Sequence, residues 1–253
     1  MKRFLTLLRY QIWQMTISPS TYIAAFLFLG FIGFIYLYAL IDASRTASES
    51  TPVANFLSVF WVPVLFMVPL LTMRSLADER RAGTLEALMT TPVTAWQIVL
   101  SKFIACYLFY MLLWVATVVY PIISLFYLPQ FASDSRFFDI VQLGSGYLFI
   151  AASGAMYIAI GIFASSLTRT TLVAGMLSFC MLFLTIIGAR LLTRFPLPES
   201  FAWLSLPAEY IQTFKQFDDF ISSLWDSRPF FFYFSTTLVL LAITSLITES
   251  RNK

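Results

Sequence analysis

Four charged residues stand side by side in a chain that otherwise carries little charge. Asp78, Glu79, Arg80 and Arg81 are consecutive, although charged residues make up only 11% of the 253 residues. Soluble proteins carry about 25%, so this cluster needs an explanation. Acids and arginines grouped in this way suit charge-assisted hydrogen bonds to a protein or to lipid head groups.

The residue types on which common catalytic and metal sites depend are scarce. Histidine, the commonest general base and metal ligand, is absent. Cys106 and Cys180 lie in apolar stretches, where they behave as small hydrophobic residues. A P-loop needs Lys after Gly and before Ser or Thr, and no lysine meets this requirement: Lys2, Lys102, Lys215 and Lys253. We therefore expect no catalytic residue, no metal site and no ATP hydrolysis by this route.

Composition places the chain in a membrane. Hydrophobic residues make up 59%, aromatic residues 18%, and the mean hydropathy is +0.81. A helix needs about 20 apolar residues to cross a hydrocarbon core of about 30 Å, and several uncharged runs have that length. The N-terminus lacks the short apolar core and cleavage site of a signal peptide. We predict an all-α integral membrane protein with one transmembrane domain over residues 1–253.

Six membrane spans are predicted, with ends uncertain by several residues. A short Thr-Arg-Thr-Thr sequence separates the fourth and fifth spans and predicts a tight helical hairpin, and the third span contains Pro121. The predicted spans are approximately residues 21–41, 56–73, 95–128, 143–167, 171–192 and 229–248.

Residues 2–17 are predicted to form a helix that lies in the membrane interface, within an interfacial segment of residues 1–20. One helical face is apolar, which suits a helix lying along the membrane surface. The apolar residues are Phe4, Leu8, Ile12 and Met15, and the anchoring charges off that face are Lys2, Arg3 and Arg9. Pro19 disfavours helix at the preceding residue and ends the segment. The alternative is a plain cytosolic tail.

The distribution of Lys and Arg predicts the orientation. With the N-terminus inside, ten of the 16 Lys and Arg residues fall in inner segments, as the positive-inside rule requires. Both termini and residues 74–97 are then cytosolic. Residues 193–228 lie outside, and they are too polar to span yet too apolar for an exposed loop. Short helices that dip into the outer leaflet would satisfy their backbone groups.

The inner segment at residues 74–97 has strong local signals. The second span can continue as a helix to Arg81, and Gly83 can end it. Thr84 can cap a second short helix, with Glu86 in its first turn, and Pro92 ends that helix. Leu85, Leu88 and Met89 supply an apolar side, and Thr94 with Gln97 has capping-box spacing. Either this is a docking helix for a cytosolic partner, or a loop whose charges only hold the topology.

Four stretches resemble a known family. The sequence ERRAGTLEALMTTPVTAWQIVLSKF resembles the signature of ABC-2 type transporter permeases. The stretches ISPSTY, AIGIFASSLT and LWDSRPFFFYFS are similar to the gliding-motility permease subgroup, whose relatives include permeases that assist copper-enzyme maturation. Together the motifs extend over essentially the whole chain.

The resemblance implies a six-span permease subunit of an ABC exporter in a bacterial inner membrane. It implies a second permease copy or homologue and two cytosolic ATPase subunits, which bind ATP and Mg²⁺ in place of this chain. The N-terminal helix would be an elbow helix, and the outer segment would form re-entrant helices. The residues that would form the ATPase-contacting coupling segment are Asp78, Glu79, Arg80, Arg81, Gly83, Thr84, Leu85, Glu86, Leu88 and Pro92. Ala82 and the Thr-Arg-Thr-Thr turn depart from the pattern and leave partner specificity open.

The same residues also bear on other functions. A membrane-embedded enzyme would place ionisable residues inside its spans, and these spans look nearly free of them; Arg190 can reach the outer surface. The span serines 153, 165, 166 and 178 are expected to pack helices beside glycines 154, 161 and 175. A non-transporting mechanical transmitter or membrane anchor, driven by the same ATPase and acting on an outer-face partner, is the alternative. The substrate and an accessory subunit also stay open. A secondary transporter is less well supported, and no nucleic-acid partner is expected.

Overall fold

The computed structural model describes residues 2–45, 51–89, 93–127, 139–194, 212–222 and 226–250. Every element that it describes is a helix. In chain order these are α1 Lys2–Ile17, α2 Pro19–Arg45, α3 Pro52–Ser58, α4 Trp61–Thr72, α5 Ala77–Arg81, α6 Thr84–Met89, α7 Ala95–Thr117, α8 Val119–Tyr127, α9 Ile140–Leu167, α10 Thr171–Phe183, a π-helical turn Leu184–Gly188, α11 Ala189–Arg194, α12 Thr213–Ile221 and α13 Arg228–Ser250.

Six segments are long and apolar enough to cross a membrane, which confirms the predicted fold class. Their mean hydropathies lie between 1.3 and 2.3. Spans 1 to 6 are Pro19–Asp42, Trp61–Arg81, Ala95–Ser124, Ile140–Leu167, Thr171–Leu191 and Arg228–Ser250. The hairpin of spans 4 and 5 is also confirmed, because α9 and α10 pack together on either side of a short turn.

The predicted start of span 2 at residue 56 is wrong. Phe56 belongs to the separate helix α3, and α4 begins only at Trp61. Pro63 explains the break, because a proline inside a helix has no N–H to donate and its ring clashes with the carbonyl group four residues earlier. In the first turn of α4 this N–H would have no intrahelical partner, so the proline is tolerated there. Thr51 caps α3 by accepting a hydrogen bond from the Ala54 N–H (3.1 Å).

Span 4 lies at the centre of the bundle, in contact with spans 2, 3, 5 and 6. A Cβ atom at Gly154 would come within 2.6 Å of the Tyr110 ring, and one at Gly161 within 2.9 Å of the Thr72 Cβ. These glycines therefore allow close approach of the helices, as predicted. The serines predicted to pack the spans are all fully buried: Ser153, Ser165, Ser166 and Ser178.

Two short helices, α3 and α12, pack on the N-terminal half of span 4. Phe217 of α12 packs against Phe60 and Phe149, with ring centroids 5.0 and 5.5 Å apart. We call this region the aromatic end of the bundle. The remainder of the predicted outer segment, residues 195–211 and 223–225, lies outside the described residues. Insertion of α12 into a leaflet stays a prediction.

Helix α1 packs against α7 and ends at Ile17, directly before Ser18 and Pro19, as predicted. Of its predicted apolar face, Ile12 is 40% exposed, whereas Phe4, Leu8 and Met15 are half-buried. The outward face carries large apolar side chains as well as polar ones, with Trp13 64% exposed. Arg9 is exposed, and the side chains of Lys2 and Arg3 lie outside the described residues. An interfacial position of α1 stays a prediction.

Candidate functional site

The four consecutive charged residues, Asp78 to Arg81, belong to α5, which a sharp turn joins to α6. Gly83 has a φ of 70° and ends α5 as predicted, because glycine adopts this left-handed conformation without strain. Thr84 is the first residue of α6 rather than its cap, and its hydroxyl donates to the Glu79 carbonyl oxygen (3.2 Å). This bond ties α6 back to α5.

Span 2 extends to Arg81 as predicted, but the prediction of one continuous helix is wrong. Helix α4 ends at Thr72, and a turn separates it from Ala77, where α5 begins. Ser165 of span 4 explains the turn, because its hydroxyl accepts from the N–H groups of Leu76 and Ala77, both at 3.1 Å. The same hydroxyl donates to the Met73 carbonyl oxygen (3.2 Å). A hydroxyl can do both at once, so Ser165 replaces bonds that a continuous helix would make itself.

Replacing Ser165 with Ala is expected to lower the free energy of unfolding by about 1–2 kcal/mol, because it leaves buried backbone groups without a partner. Thermal unfolding of the purified chain measures the loss. Ser235→Ala in span 6 is the matched control, since that exposed hydroxyl donates to the Phe232 carbonyl oxygen of its own helix (3.1 Å). Equal unfolding temperatures for the two variants would contradict this role of Ser165.

An ion pair joins α5 to span 3. Lys102 Nζ lies 2.6 Å from Glu79 Oε1, and the two side chains are 2% and 15% exposed. Lys102 follows the capping box of Thr94 and Gln97, which the structure confirms. The prediction that the spans are nearly free of ionisable groups fails at this position. The sequence does contain a signal for this site: Lys102 lies inside the predicted third span, and an ionisable residue within a span usually has a function.

A further bond joins α5 to the end of span 4. Arg80 Nη1 donates to the carbonyl oxygen of Ser166. The last carbonyls of a helix have no intrahelical partner and carry partial negative charge, so an arginine is well placed there. The bonds of Glu79, Arg80 and Ser165 together connect α5 to spans 3 and 4. We call these three contacts the α5 linkage.

Comparison with known families decides what kind of membrane protein carries this arrangement. Residues 41–248 match the family model of ABC-2 family transporter proteins. The chain belongs to this family. It is therefore the membrane permease subunit of an ABC transporter, a type of subunit that is normally non-catalytic and associates with an ABC ATPase, often as a dimer. No curated protein was found to match the chain.

In this ABC-2 permease the residues predicted to contact the ATPase divide into two groups. Arg81, Gly83 and Thr84 are exposed and form what we call the α5–α6 surface. Leu85 is 1% exposed and packs into the core of its own chain, so the surface does not include it. Leu88 packs partly against the same core.

The remaining predicted contact residues are Pro92 and four charged residues. Asp78 is half-buried and lies 4.0 Å from Arg74, whereas Glu79 and Arg80 point into the permease through the α5 linkage. The side chain of Glu86 and the whole of Pro92 lie outside the described residues. Contact of any of these residues with an ATPase stays a prediction.

Proposed function

We propose that this ABC-2 permease exports a substrate across a bacterial inner membrane, driven by two cytosolic ATPase subunits that bind ATP and Mg²⁺. It would pair with a second permease copy or homologue. The Lys and Arg distribution supports cytosolic termini and a cytosolic α5–α6 surface. Three sequence motifs support membership of the gliding-motility subgroup.

One observation supports the proposed coupling most directly. The helix α5, which carries part of the exposed α5–α6 surface, is bonded to spans 3 and 4 through the α5 linkage. Helix α6 would contact the ATPase, and a displacement of α6 would move α5 through Gly83 and the Thr84 bond. The Glu79–Lys102 pair would pass this movement to span 3. The contacts of Arg80 and Ser165 would pass it to span 4.

Span 4 connects the α5 linkage to the aromatic end of the bundle. Ser165 and Phe149 lie on the same helix, about 24 Å apart at 1.5 Å per residue. Phe149 packs against both Phe217 and Phe220 of α12, with ring centroids 5.5 and 5.4 Å apart. A tilt of span 4 at the ATPase side would therefore displace the helix that covers the aromatic end, where a substrate would leave.

Purification of the tagged permease from its native membrane tests this proposal. We expect a stoichiometric protein with a P-loop to co-purify, and Glu86→Arg to abolish both its retention and the permease-stimulated ATPase activity. Glu249→Arg, at the end of span 6 on the same predicted side, is the matched charge reversal and should change neither. If no ATPase co-purifies with the wild-type chain, or if Glu86→Arg retains full activity, the proposed docking through α6 is wrong.

A further inference from the structure

A polar cavity of about 140 Å³ lies between α1, the start of span 1, the end of span 2 and span 3. It is distinct from the α5–α6 surface. Gln11 and Thr21 line one side, and Arg74, Ser75 and Lys102 line another. The apolar part of the lining comes from Met15, Leu70, Leu71 and Ala105. The lining of the cavity therefore has a polar part and an apolar part, and the cavity lies at the edge of the bundle of spans.

Polar side chains face this cavity from two sides. Gln11 and Thr21, which are 7% and 6% exposed, line it together with Ser75. Ser75 Oγ is buried and has no hydrogen-bond partner among the described residues. Buried polar groups are nearly always hydrogen-bonded, and an unmet bond is costly. The lining therefore favours a polar occupant.

The charges at the cavity define the chemistry of that occupant. Lys102 is 2% exposed and has three N–H donors, of which Glu79 accepts one. Arg74 supplies a second cation, and Asp78, whose Oδ2 lies 4.0 Å from Arg74 Nε, supplies a carboxylate. Cations and an anion around one small cavity match a zwitterion better than a simple anion.

We propose that this cavity binds the head group of a phospholipid that carries a phosphate diester and a primary amine. The phosphate would accept hydrogen bonds from the side chains of Lys102, Arg74, Gln11 and Thr21, and the amine would donate to Asp78. This site goes beyond the proposed function, because it requires no ATPase.

A lipid is favoured over a soluble phosphate ester by the position of the cavity. Its apolar lining, with Met15 and Leu70, can contact the first carbons of acyl chains. The exposed face of the adjoining helix α1 is amphipathic, with Trp13 64% and Ile17 58% exposed beside the exposed Arg9. Such a face suits the interface between head groups and acyl chains. The head group would then hold α1 against spans 2 and 3.

Native mass spectrometry of the full-length chain in detergent tests the site. Phosphatidylethanolamine and phosphatidylcholine with identical acyl chains are titrated separately. We expect one retained phosphatidylethanolamine, bound about tenfold more tightly than phosphatidylcholine, whose trimethylated nitrogen has no N–H donor for Asp78. Gln11→Leu, Thr21→Val and Arg74→Gln should each weaken that binding about tenfold. Arg169→Gln, at an exposed position in the hairpin of spans 4 and 5, should leave it unchanged.

Each contrary result would overturn the proposal. Equal binding of the two lipids would remove the role of the amine, and no retained lipid would mean that water alone fills the cavity. Protection against thermal unfolding by soluble phosphoethanolamine, at a concentration where the lipid has no effect, would identify a soluble ligand instead. Unchanged lipid binding in Gln11→Leu and Thr21→Val, with wild-type unfolding temperatures, would place the lipid elsewhere. Thr21→Val preserves side-chain shape and guards against loss of fold.

Discussion

Replacing Lys102 with Met is expected to lower the free energy of unfolding by about 3 kcal/mol and to uncouple the permease from its ATPase. The substitution leaves the Glu79 carboxylate, which is 15% exposed, without its cation. Removing one member of a buried ion pair is strongly destabilising for this reason. Glu79 Oε2 already lacks a partner among the described residues, so no second contact there compensates for the loss.

A double-mutant cycle isolates the pair. Glu79→Gln alone should cost less than Lys102→Met, and the double variant Glu79→Gln, Lys102→Met should be more stable than the sum of the single effects predicts, by about 1 kcal/mol or more. Lys215→Met is the control, because Lys215 is exposed on α12. Thermal unfolding and ATPase stimulation are measured for every variant. Additive effects, or stimulation that survives in Lys102→Met, would contradict a coupling role for the pair.

Gly161→Ala is expected to destabilise the bundle by about 2–3 kcal/mol, since overpacking forces closely packed helices apart. The added Cβ would overlap the Thr72 hydroxyl and lie 2.9 Å from the Thr72 Cβ. Thr72 is 0% exposed and its hydroxyl bonds to the Val68 carbonyl oxygen, so it cannot turn away freely. Spans 2 and 4 would have to separate.

Gly144→Ala in the same helix is the matched control, because a Cβ there would come within 4 Å of no atom that the structure describes outside its own helix backbone. It should be neutral or slightly stabilising, since Ala favours helix over Gly. The difference in unfolding temperature between the two alanine variants measures the packing effect alone. A Gly161→Ala chain as stable as Gly144→Ala would show that spans 2 and 4 do not approach each other in the manner described.

The fold could be predicted from the sequence because each span carries its own signal. Apolar runs of about 20 residues identify membrane helices without knowledge of their neighbours. The same holds for local signals, such as Pro19 after α1, Gly83 after α5, and the capping box of Thr94 and Gln97. Each of these acts within one helical turn, so the residues concerned are close in sequence.

The links between helices could not be predicted, because the partners are distant in sequence. The Leu76 N–H and Ser165 Oγ are close in space although 89 residues separate them, and no local pattern indicates which serine faces which backbone group. Local propensity favoured a helix that continues through residues 73–76, whereas Ser165 stabilises a turn there. Lys102 was likewise counted with the loop charges, since its burial depends on Glu79 in another helix.

Cross-linking from the α5–α6 surface tests the central claim most directly. Thr84 is exposed, Cys106 is buried and Cys180 is exposed, so Thr84→Cys in a Cys180→Ala background presents one reactive thiol among the described residues. A photoactivatable maleimide is attached in native membranes, and cross-linked proteins are identified by mass spectrometry. We predict a dominant product with a P-loop ATPase that is weak or absent from the control Thr170→Cys. A labelled Thr84→Cys chain that cross-links no ATPase would contradict the coupling of this permease through α6.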